Sequence, residues 1–152
     1  MGRDCSYNWR MRQIKHSAII AQPPGRVFQI INDVESYPSF LPWCTHAQVV
    51  ARSEREIVAT IGVRKGPLHG EFTTRNELEP EQRIVMHLVS GPFRTLEGEW
   101  ELSPIGANGC RAQLTMRFAF RNSLSSLLFE QKFAETMTSL VDAFVARARS
   151  GQ

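Results

Sequence analysis

The sequence predicts an α+β domain in which a curled antiparallel sheet closes around one long C-terminal helix. Three observations carry this prediction. A 3.6-residue apolar stripe runs between Asn122 and Arg149, alternating segments follow one another from Ala47 to Phe120, and the turn signals between those segments are too closely spaced for parallel crossovers.

Residues 1–10 (MGRDCSYNWR) show no period and few apolar groups, so they read as a disordered extension, and Met11 opens a single domain over 11–150. Ile14, His16, Ala18 and Ile20 alternate with Lys15 and Ser17 as a half-buried strand, which turns His16 toward the core; a hydrogen-bonded structural role and a catalytic one are both open to it. Pro23 and Pro24 pre-set a short amphipathic helix carrying Val27, Phe28, Ile30 and Ile31 and closing near Asp33. From Asn32 to His46, Pro38 and Pro42 interrupt any long helix and crowd Tyr37, Phe40, Leu41 and Trp43 into an aromatic corner. That corner either plugs one end of the core or faces a ligand.

Six strands follow. Ala47, Val49 and Ala51 alternate, then Ile57, Ala59, Ile61 and Val63 complete a hairpin. Gly66, Pro67 and Gly70 bracket a flexible loop before Phe72, Thr74, Asn76 and Leu78; Ile84, Met86 and Leu88 share the next face, and Leu96, Trp100 and Leu102 follow, with Gly98 among them. Asn108-Gly109 signals a hairpin into Cys110, Ala112, Leu114, Met116, Phe118 and Phe120. The final helix places Leu124, Leu127, Leu128, Phe133, Met137, Leu140, Val141, Phe144, Val145 and Ala148 on one stripe, with Asn122 or Ser123 as its cap and Arg147 and Arg149 at its C-terminal end. At about 27 residues it is roughly 40 Å long. Only a sheet covers such a length.

A chain of 152 residues has room for one core, and 42% hydrophobic with 22% charged residues is ordinary for a soluble globular protein. No apolar run reaches the ~18 residues of a membrane span. Cys5, Cys44 and Cys110 are odd in number and lack CxxC spacing, so neither a disulfide framework nor a zinc site is indicated, and a cytoplasmic setting fits. The net charge of +3 does not announce a nucleic-acid binder, and no DNA partner is expected. Fifteen of the eighteen basic residues are Arg, which suits phosphate binding but equally follows from a GC-rich genome.

No nucleophile elbow, HExxH or phosphate-binding glycine loop is present. Cys44 and His46 would share a strand face without a third ligand, and Arg75, Glu77, Glu97 and Glu99 read as a solvated sheet face. Binding without turnover is therefore expected, with no catalytic residue, no metal and no covalent cofactor. A curled sheet and a single helix leave an apolar cavity where they fail to meet. Met86, Met116 and Met137 are soft fillers for such a space, and Phe72, Leu88, Phe118 and Phe133 lie on inward faces, either around a ligand or as plain core.

Four stretches narrow the family: DVESYPSFLPWC at Asp33–Cys44, FTTRN at Phe72–Asn76, GPFRTLEGEW at Gly91–Trp100 and VDAF at Val141–Phe144. Together with the order of elements they resemble the coenzyme Q-binding branch of the START-like (polyketide cyclase, SRPBCC) family with its helix-grip fold. The mitochondrial coenzyme Q chaperone and the bacterial ribosome-association toxin RatA belong to that branch. The resemblance runs from about Met11 to Ala148 and implies a polyprenyl quinone such as ubiquinone as bound ligand, in support of respiratory electron transport. Its ligand-binding set would comprise Tyr37, Phe40, Leu41, Trp43, Phe72, Met86, Leu88, Trp100, Met116, Phe118, Phe133 and Met137. Each five-carbon isoprenoid unit buried is worth about 3–4 kcal/mol, so a few units suffice for retention. Transient contact with a membrane surface, peripheral at the inner membrane, would go with such a ligand. The resemblance to RatA implies an alternative, binding to the large ribosomal subunit that blocks subunit association. Arg3, Arg10, Arg12 and Lys15 form the one basic cluster available for it.

Overall fold

The computed structural model describes residues 11–121 and 126–150. Strand β1 (Arg12–Ile20) leads into helix α1 (Pro24–Asn32), a 3-10 turn (Val34–Ser36) and the one-turn helix α2 (Tyr37–Phe40). Six strands follow: β2 (Cys44–Arg52), β3 (Glu56–Lys65), β4 (Leu68–Glu79), β5 (Arg83–Ser90), β6 (Phe93–Ile105) and β7 (Gly109–Phe120). Helix α3 (Ser126–Arg149) closes the chain. All seven strands form one antiparallel sheet in the order β1-β7-β6-β5-β4-β3-β2, so each strand from β2 onward pairs with the next in sequence and β1 adds to the last. The helix lies across the concave face of that sheet, and the buried residues between them form the core.

The alternation read from the sequence fixes which side chains face α3. Ile57, Ala59 and Val63, then Phe72 and Leu78, then Leu96, Trp100 and Leu102, and finally Cys110 through Phe120 at even positions are all buried. Pro24 supplies the first-turn proline of α1, which has no side-chain cap. Its place is taken by the β4–β5 turn, where Glu81, in a left-handed conformation at φ 66°, lays its carboxylate against Gly25. A carboxylate is favoured at a helix N-terminus, where unpaired N–H groups gather.

Several expectations change. Helix α3 is described over the 24 residues Ser126–Arg149, and the expected caps Asn122 and Ser123, with Leu124, lie outside the described residues. Leu127 is 73% exposed and Leu128 46%, although both fall on the apolar stripe. In this first turn it is Phe129 that meets the sheet, 5.7 Å from Phe120 between ring centroids. The stretch Gly66–Gly70 is no loop: Lys65 pairs with Leu68 across a two-residue turn, with Gly66 at φ 58° as that turn requires, and Gly70 is already within β4. At the β6–β7 reversal Ile105 pairs with Gly109, so the left-handed residue is Gly106 rather than Asn108 or Gly109. Cys44 and His46 do not share a face, because a bulge between them shifts the register; Cys44 is buried and His46 exposed. Gly62 makes the room, since a Cβ there would strike the His46 ring and Thr45 Oγ1. The extension 1–10, with Trp9, Arg3, Arg10 and Cys5, lies outside the described residues.

Candidate functional site

Two aromatic groups divide the space between sheet and helix. At one end Phe133 of α3 meets Phe118 at 4.8 Å and Phe93 at 5.1 Å between ring centroids, Phe93 stacks on Phe120 at 4.6 Å, and Phe72 reaches Phe93 at 5.6 Å. At the other end Phe144 of α3 is touched by Tyr37 at 5.6 Å, Phe40 at 5.7 Å and Trp100 at 5.6 Å. Large rings from facing elements cannot interdigitate everywhere, and between the two groups the packing leaves a gap. This is a cavity of about 60 Å³. Its apolar walls include Met86, Met116 and Met137, with Ala59, Ile84 and Leu114.

Gly98 explains why Met86 and Met116 meet there. It pairs with Met86 on one side and Met116 on the other, and a Cβ at this position would strike Met116 Sδ and Met86 Cε. The missing side chain lets both thioethers fold across the strand. Methionine has three rotatable bonds, so this part of the wall is the one most easily displaced. The cavity is well below the ~150 Å³ of an apolar cavity that accepts benzene. A ring-sized ligand therefore enters only if these side chains swing aside.

Of the twelve residues expected to bind a ligand, Tyr37, Trp43, Phe72, Met86, Trp100, Met116 and Met137 line the cavity. Phe118 and Phe133 are spent on the aromatic cluster beyond it, and Leu41 is buried at the corner without reaching it. Phe40 packs against Tyr37 and Phe144 while its other face carries the Arg147 guanidinium, 4.7 Å from the ring centroid. Leu88 is half-buried away from the cavity. The other lining residues were not in the expected set, and the polar ones among them are Asn32, Thr74 and Asn76. The FTTRN stretch places Thr74 and Asn76 on the inward register of Phe72, which is the signal that could have found them.

The corner is fixed to α1 by the Tyr37 hydroxyl, which donates to the Ile31 carbonyl. Burial pushes the Tyr37 phenol well above its ordinary range, with smaller contributions from Cys44 and Asp33, so it stays neutral. Burial likewise pushes the Cys44 thiol up to about 11, opposed in part by a hydrogen bond with the His46 backbone. The Cys110 thiol is raised for the same reason. A thiol in this state is a poor nucleophile. His16 faces α3 as expected, but its Nε2 lies 3.2 Å from Asp142 Oδ1 at the rim of the helix, a tie between β1 and α3 rather than a core position. Among the described residues no group of three or more His, Cys, Asp or Glu is placed to hold a metal ion. Among the described residues no helix is long and apolar enough to cross a membrane.

The outer sheet face carries interleaved charges. Arg117 reaches Glu97 at 3.1 Å, Arg83 reaches Glu79 at 2.8 Å and Glu99 at 3.3 Å, and Arg75 reaches Glu56 and Glu77 at 3.1 Å each. Such exposed pairs contribute little stability each. They do leave that face electrically balanced. Of the expected basic cluster, Arg12 is on the α3 side of β1 and Lys15 is on the outer side, while Arg3 and Arg10 fall outside the described residues.

The chain is 37% identical to the ribosome association toxin RatA of Escherichia coli K12 over 139 residues, covering 91% of this chain and 88% of that one. It is 27% identical to a mitochondrial coenzyme Q-binding protein, COQ10 homolog B, of Xenopus laevis, over 90% of this chain and 57% of that one. The crystal structure of the Zhui aromatase/cyclase from Streptomyces sp. R1128 superposes with a TM-score of 0.83 at 18% identity, covering 91% and 94% of the two chains, which establishes the helix-grip fold. With residues 20–145 matching the family of polyketide cyclases, dehydrases and lipid-transport proteins, the chain belongs to that START-like family.

Proposed function

We infer that the protein acts by binding rather than turnover, as a ribosome-associating protein of the RatA kind whose target is the large subunit in the cytoplasm. The observation that carries this reading is 37% identity sustained over 91% of the chain, since the fold by itself is shared with cyclases. Ribosome association calls for cations free to meet RNA phosphates. The outer sheet face, with its Arg–Glu pairs, is poorly suited. The end of α3 is better: Arg147 is held on the Phe40 ring, Arg149 is exposed in the same turn, and Arg26 stands on α1, whose preceding Gln22 donates to the Ala148 carbonyl at 3.1 Å. Co-sedimentation with isolated large subunits tests the reading. It should fall steeply between low and moderate salt and weaken in a double Arg147→Glu, Arg149→Glu variant. Absence of co-sedimentation at low salt removes it.

A second reading, compatible with the first because it uses the interior, is carrier or chaperone binding of a polyprenyl quinone taken from a membrane surface. The cavity with its three methionines favours it, as does the similarity to the coenzyme Q-binding homologue. Ring entry would displace Met86, Met116 or Met137, and the isoprenoid tail would supply most of the apolar area. Mass analysis of lipid extracted from the purified protein checks this. A lipid-free protein that also takes up no added ubiquinone would sink it.

A further inference from the structure

Thr74 and Asn76 interrupt an apolar wall. They occupy the inward register of β4, between Phe72 and Leu78, both of which are buried. Polar side chains in such a place cost free energy unless hydrogen bonds compensate. Thr74, only 6% exposed, donates to Asn76 Oδ1 at 2.8 Å. This bond engages one end of the Asn76 amide. The other end, Nδ2, has no acceptor among the described residues, and the half-buried side chain bonds no backbone group. On the wall contributed by α1, Asn32 donates its Nδ2 to the Phe28 carbonyl at 3.1 Å. A carbonyl cannot donate, so the amide orientation follows from chemistry and Oδ1 is left as an acceptor. Both asparagines line the same cavity.

The cavity thus presents one unused donor and one unused acceptor among apolar side chains. Neither would be needed for a plain hydrocarbon. We propose that Asn76, oriented by Thr74, and Asn32 together read the head group of the cavity's ligand, and that this head group is a hydroxyl-bearing ring, a quinol in preference to its quinone. A quinone carbonyl accepts from Asn76 Nδ2 but faces Asn32 Oδ1 with a second acceptor. A hydroxyl both donates and accepts, and so satisfies the pair. The proposal rests on the quinone-type reading of the cavity and gives that reading a redox preference.

The test is displacement of a fluorescent apolar probe from the full chain by a short-tail ubiquinone, by its quinol under reducing anaerobic conditions, and by a polyprenyl hydrocarbon without a ring. The wild type should bind the quinol about tenfold more tightly than the quinone, one well-made hydrogen bond's worth. Asn76→Leu should lose about tenfold for the quinol and nothing for the hydrocarbon. Asn32→Leu should erase the preference for quinol over quinone. Thermal melting confirms that each variant is folded; if leucine at 76 prevents folding, Thr74→Val, which frees the Asn76 amide to rotate, must weaken the quinol and leave the hydrocarbon unchanged. Quinol affinity unchanged in the position 76 and 74 variants, or a wild type indifferent to redox state, overturns the proposal while leaving quinone binding intact. Displacement by none of the three compounds instead overturns the cavity reading on which it stands.

Discussion

At Gly98 the absence of one methyl group shapes the cavity. The nearest atoms to an added Cβ are the far ends of Met86 and Met116, not backbone, so an alanine there is accommodated by moving two flexible side chains. The space they move into is the cavity. Gly98→Ala should therefore melt close to the wild type, helped by the lower chain entropy of alanine in the unfolded state. Its uptake of an apolar probe should drop several-fold. A large loss of stability with uptake unchanged would show that the methionines cannot yield and that ligand space lies elsewhere. Gly62 serves a different end, because there the obstructing atoms belong to Thr45 and His46 on the outer face.

Helix α3 uses its length unevenly. Its first turn carries Leu127 and Leu128 into solvent, while Phe133, 1% exposed, sits among Phe72, Phe93, Phe118 and Phe120 and joins the helix to three strands. Phe133→Ala should cost about 3–5 kcal/mol, the range for truncating a fully buried aromatic. Leu128→Ala should cost under about 0.5 kcal/mol, as for an ordinary surface position. Urea denaturation followed by the emission of Trp43 and Trp100 measures both. Equal effects would mean that the apolar stripe, rather than the sheet beneath it, sets the energetics. Periodicity made α3 and every strand legible in the sequence, since alternation is a local property. It could not separate Leu128 from Phe133, because what lies opposite a helical stripe is set by where the sheet lies.

For the whole molecule, stability should depend on alkaline pH through groups buried in their neutral form. The Cys44 thiol titrates near 9.0 when exposed and is pushed up to about 11 in the folded chain. A raised folded value means that the unfolded chain ionises first, so the contribution is fully present below about pH 9 and is lost between about 9 and 11. Tyr37, raised from 10.0, and Cys110 act in the same direction. Urea midpoints should be level from neutrality to about pH 8.5 and then fall, less steeply in Cys44→Ala. A midpoint constant to pH 11 would contradict the burial of these groups. Alkylation at neutral pH should likewise leave Cys44 and Cys110 unmodified until the protein is unfolded.

The sequence by itself determined the class of the fold, the order and type of its elements, and the family. Each depends on short-range patterns: alternation in the strands, the 3.6-residue stripe of α3, Pro24 opening α1, and the motifs around Tyr37, Phe72 and Trp100. Only the tertiary structure decided which inward residues line the cavity and which close it. Phe72 and Phe118 have the same register and the same chemistry, yet Phe72 borders the cavity and Phe118 is enclosed by Phe93, Phe120 and Phe133. The difference arises from how the sheet packs against α3, which joins residues far apart in the chain. For the same reason Asn32 and Asn76, on α1 and β4, become partners in one site only when the corner folds down over the sheet.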